Sequence, residues 1–126
     1  MDYENNSSAN RVNWSDYGYD MDRRGLPDDW VHVVSLVGSS GYDWADLHAF
    51  YSPRDRLYFW HGDYGCSCYG WDSGISFEAD FNNGDKAALR AALKEFAEEH
   101  PSAFTLSDAI SVIDALARFN PPEVTA

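Results

Sequence analysis

Positive charge is scarce in this chain. Nine Lys and Arg stand against 21 Asp and Glu, a formal net charge of −12. No basic run exceeds the pair Arg23-Arg24, and no Lys or Arg lies between Leu57 and Asn83. Nucleic-acid binders concentrate cations on one face or along one helix. Direct binding to DNA, RNA or an anionic membrane surface is therefore not expected. Long apolar runs are missing too, and nothing approaches the roughly 20 residues of a membrane-spanning helix. Met1 to Asn10 holds neither the basic nor the apolar part of an export signal. The two cysteines are thus expected to meet a reducing cytosol and stay reduced. They are too few for a disulfide framework.

What is present bounds a single domain. The chain has 126 residues with ordinary apolar content, enough for one core. Aromatic residues make up 16% and lie mostly before residue 82, whereas the stretch after it is rich in Ala and Leu. That shift predicts an aromatic sheet followed by helices. Residues 1–29 read as an acidic and aromatic arm, with Trp14, Tyr17 and Tyr19 set among Asp16, Asp20 and Asp22. Such alternation suits a docking segment that orders on a partner. The three aspartates lack the Gly and Glu of an EF-hand loop, so no calcium site is expected there.

Residues 30–120 are expected to form one α+β domain, with a tail at 121–126. Trp30 to Val37 is almost continuously apolar and β-branched, the pattern of a strand buried on both faces and central in its sheet. Tyr42 to Tyr51 alternates more weakly, Leu57 to His61 predicts a short third strand, and Ser73 to Phe81 alternates most regularly. Asn82 to Asp85 reads as the turn that follows. Leu89, Leu93 and Phe96 recur at helical spacing over Asp85–Glu99, and Pro101 stops that helix. Thr105, with Asp108 three residues on, opens a second helix to Phe119, its apolar stripe expected at Leu106, Ile110, Ile113 and Ala117. The predicted fold is an antiparallel sheet of about four strands with two C-terminal helices packed on one face. The second helix carries Asp108 and Asp114 against one Arg118, so a DNA-reading helix-turn-helix is rejected.

The segment from His61 to Asp72 holds both cysteines, three aromatic rings and three glycines. His61, Cys66 and Cys68, with His48, are donors of the kind zinc takes, although one residue rather than two separates the cysteines. A zinc-stabilised module is therefore an alternative, and the leading expectation is no cofactor. A catalytic thiolate needs a base or cation beside it. Here Asp63, Asp72, Glu78 and Asp80 surround the cysteines and oppose ionisation. The glycines match no phosphate-binding fingerprint. No catalytic constellation stands out, and the chain reads as non-enzymatic. Recognition remains: Tyr64, Tyr69 and Trp71, with Trp14, Tyr17 and Tyr19 of the arm, are the candidate partner-binding residues, since Trp and Tyr dominate interface hot spots. Acidity suits a basic protein partner or, as an alternative, mimicry of nucleic acid toward a DNA-binding or defence protein.

Asp63-Tyr64-Gly65-Cys66-Ser67-Cys68 follows the aromatic stretch Leu57-Tyr58-Phe59-Trp60 and precedes a helix opening Gly84-Asp85-Lys86-Ala87-Ala88-Leu89. Over roughly residues 30–100 this arrangement resembles a family of small uncharacterised proteins from phages of mycobacteria and related actinobacteria, which carry an Asp-x-Gly-Cys-Ser-Cys motif. The family places a proline and an aromatic residue after the motif, where this chain has Tyr69-Gly70 and then Trp71-Asp72. The resemblance implies a phage origin and expression in the cytoplasm of the bacterial host; the partner expected for the acidic and aromatic surface is a host or phage protein. It implies no particular activity.

Overall fold

The structure, a computed structural model, describes residues 27, 29–66 and 80–122. Trp14, Tyr17 and Tyr19 of the arm, together with Cys68, Tyr69 and Trp71, lie outside the described residues, as does the predicted strand Ser73–Phe81 apart from its last two positions.

Among the described residues, four strands come first: β1 (Val31–Ser40), β2 (Asp43–Ser52), β3 (Leu57–Cys66) and the short β4 (Asn82–Gly84). Helices α1 (Lys86–Glu99) and α2 (Leu106–Arg118) follow. The sheet is an antiparallel meander in the order β1-β2-β3-β4. Gly41, with φ of 64°, makes the β1–β2 turn, a backbone region that costs Gly nothing. The β2–β3 turn is tied by the Arg56 amide donating to the Ser52 carbonyl at 2.8 Å and the Asp55 amide to Ser52 Oγ at 3.1 Å.

Both helices cover one face, as expected from the sequence. Their apolar side chains meet Val34 and Leu36 of β1, Ala45, Leu47, Ala49 and Tyr51 of β2, and Tyr58 and Trp60 of β3. The fully buried Leu89, Leu93 and Leu116 each contribute about 1.5–3 kcal/mol by leaving water. Asp85 caps α1, its side chain accepting from the Ala88 amide at 2.8 Å. Thr105 and Asp108 close a reciprocal capping box on α2.

Three expectations are corrected. Among the described residues, β1 lies at the sheet edge rather than its centre; the almost wholly buried strand beside it, β2, is interior. A register shift between His32 and Val34 explains why β1 reads as buried on both sides. The extra residue, Val33, puts Val31 opposite Tyr51 and Val34 opposite Ala49, both on the side the helices cover. Second, β3 runs on through Cys66, and Asn82–Gly84, where the sequence predicts a turn, forms a short strand paired with it. Third, α2 buries Ala109, Val112 and Leu116, while Leu106 and Ile110 face outward.

Candidate functional site

Two groups of chemistry-bearing side chains stand out, on different parts of the sheet. The first lies at its end. There the last residues of β3 pair with the first of β2, Tyr64 opposite Ala45 and Cys66 opposite Asp43. The α1–α2 connection folds over this end. His100 closes α1, and its carbonyl accepts from the amides of Ala103 at 3.0 Å and Phe104 at 3.2 Å. The connection is thus held tightly, and the His100 ring sits between Phe96 at 4.6 Å and Tyr64 at 4.7 Å, centroid to centroid. Trp44 is fixed as well, its Nε1 donating to the Cys66 carbonyl at 2.7 Å. Between these elements opens a cleft of about 460 Å³, with Asp43, Trp44, Tyr64, Cys66, Glu99 and His100 among its walls. Tyr64 is 61% exposed beside it. Of the partner-binding residues named from sequence, Tyr64 is therefore placed on a surface cleft.

The second group lies on the face away from the helices. Trp30 stacks on Phe59 at 4.7 Å and meets Phe81 edge-on at 5.1 Å, with Phe50 tilted against it. Next to these rings runs a polar row across three strands: Ser35 opposite His48, and His48 opposite His61. Ser35 Oγ is 2.6 Å from His48 Nδ1 and 2.7 Å from His32 Nε2. A hydroxyl has one proton, so one ring accepts from Ser35 while the other donates to it. Burial pulls the His48 imidazole down from 6.5 to about 3, and repulsion from His32 and His61 adds to the effect. Burial also lowers His61, against the opposing pull of the Asp63 and Asp80 carboxylates. Both rings are thus held neutral near pH 7.

The zinc donors named from sequence are only partly brought together. His48 and His61 are direct partners on one face. Cys66 is an odd number of residues beyond His61 on the same strand, so its side chain emerges on the opposite face. Cys66 is also disulfide-bonded, which corrects the expectation of a reduced thiol. Among the described residues, no group of three or more His, Cys, Asp or Glu converges as a metal site.

Sequence reading does not single out His32 or Ser35. They are three apart, a spacing that puts two residues of a regular strand on opposite faces. The extra residue at Val33 restores them to one face. No known protein family, curated protein or solved structure matches the chain.

Proposed function

We propose that this chain is a non-enzymatic protein-binding module, a small acidic accessory protein of a phage that acts on a host or phage protein in the host cytoplasm. The phage setting rests on the sequence resemblance alone. The binding role is supported by one observation above others: Tyr64, 61% exposed, stands on a rigid strand beside an open cleft. A tyrosine held this way offers large contact area with little conformational freedom left to lose. A formal net charge of −12 favours a basic partner and speeds encounter with it.

The test is affinity capture from host lysate with the tagged full chain, compared with Tyr64→Ala. The expected result is a partner bound by the parent and lost or strongly weakened in the variant. Retention of every captured protein by Tyr64→Ala, by Trp71→Ala and by a chain lacking residues 1–29 would remove the basis of the reading.

A further inference from the structure

The cleft beside Tyr64 supports a more specific assignment, which rests on the protein-binding reading above. Its walls combine two acidic residues, Asp43 from the start of β2 and Glu99 from the last turn of α1, with Tyr64 and His100, whose rings meet at 4.7 Å. Among the described residues, neither Lys nor Arg lines it. The C-terminal end of α1 adds to the same bias. Its last carbonyls carry partial negative charge, and no basic residue of the last turn offsets them.

We infer that the cleft receives an arginine side chain presented by a protein partner. The guanidinium is a planar cation that stacks on aromatic faces and also pairs with carboxylates. Rings and carboxylates both border this space. The rings are already positioned, His100 between Phe96 at 4.6 Å and Tyr64 at 4.7 Å. Little ordering is left to be done on binding. At about 460 Å³ the space suits one long side chain and its adjoining backbone rather than a folded surface. Lysine matches the charge but lacks the plane, and an anionic group would meet Asp43 and Glu99 directly.

The experiment is a titration of the isotope-labelled full chain with acetyl-Gly-Arg-Gly-amide and its lysine counterpart, followed by amide chemical shifts. The expected result is saturable shifts confined to Asp43, Tyr64, Glu99 and their neighbours, with the arginine peptide binding more tightly. Glu99→Gln and Tyr64→Ala should each weaken it roughly two- to fivefold, the scale of one exposed ion pair or one cation–π contact. Asp114→Asn, an acidic change on α2, should leave it unaltered. Shifts scattered over the whole surface, equal affinity for both peptides, or an Asp114→Asn effect as large as that of Glu99→Gln would overturn the assignment. If neither peptide binds but Tyr64→Ala still abolishes partner capture, the arginine assignment falls and the protein-binding reading stands.

Discussion

Ser35 Oγ lies 2.6 Å from His48 Nδ1, joining the edge strand to the central strand through side chains as well as through the backbone ladder. His48 is fully buried, so this contact provides a polar partner for a ring that water cannot reach.

Acid should destabilise the fold through this ring. The His48 imidazole titrates near 3 when folded and near 6.5 when unfolded. Its folded value is depressed, so the neutral ring's full contribution is present above about pH 6.5 and is lost as pH falls toward 3. The direction for His61 is the same. Between those limits His48 makes stability fall by about 1.4 kcal/mol per pH unit. Urea unfolding at pH 7, 6, 5 and 4 should show a steady loss, flattened in His48→Gln. An equally steep profile in the variant would rule out His48 as its source.

Gly62 lies where Phe96 of α1 packs closely on the sheet. A Cβ there would sit 2.9 Å from Phe96 Cε1 and 3.3 Å from Leu47 Cδ1. Gly62→Ala should therefore cost about 1–3 kcal/mol by overpacking. Phe96→Leu made on the Gly62→Ala background should recover part of that loss. Simple additivity of the two changes in urea unfolding would show that the two positions do not clash.

Helix α2 offers a test of which stripe faces the core. Leu116→Ala should cost about 2–5 kcal/mol, because Leu116 is 1% exposed. Ile110→Ala should stay within about 0.5 kcal/mol, with Ile110 58% exposed. Thr105→Ala should cost about 1 kcal/mol by removing the cap. The reverse order for Leu116 and Ile110 in denaturant midpoints would restore the stripe predicted from sequence.

Reduction of the Cys66 disulfide should leave the described fold in place. β3 is held through Cys66 by its backbone pairing with β2, up to Asp43. Dithiothreitol is expected to shift the melting temperature by no more than a few degrees, read by circular dichroism. Global unfolding on reduction would show that the cross-link, not the ladder, holds the end of the sheet.

Much of this architecture is legible in the amino-acid sequence. The helices and the Thr105 cap can be read there because periodicity and capping are local: Leu89, Leu93 and Phe96 lie within one helix, and Thr105 reaches only to Asp108. Tyr64 stands out by its type and setting, and it does border a cleft. His48 and His61 are both recognisable as metal donors. Their pairing with each other and with Ser35 follows from strand register, which joins positions far apart in the chain.

The chain by itself determined an antiparallel α+β domain, because alternation and helical spacing record which residues seek a core. Only the tertiary structure decided which strand is central, since an apolar run buried on both faces and an edge strand carrying an extra residue look alike in sequence. It also turned α2 so that Ala109, Val112 and Leu116, not Leu106 and Ile110, meet the sheet. The segment from His61 to Asp72 is conspicuous in sequence for its cysteines. Folding sends His61 and Cys66 to opposite faces of one strand, because successive residues alternate across a sheet, and leaves Tyr64 at the mouth of the cleft.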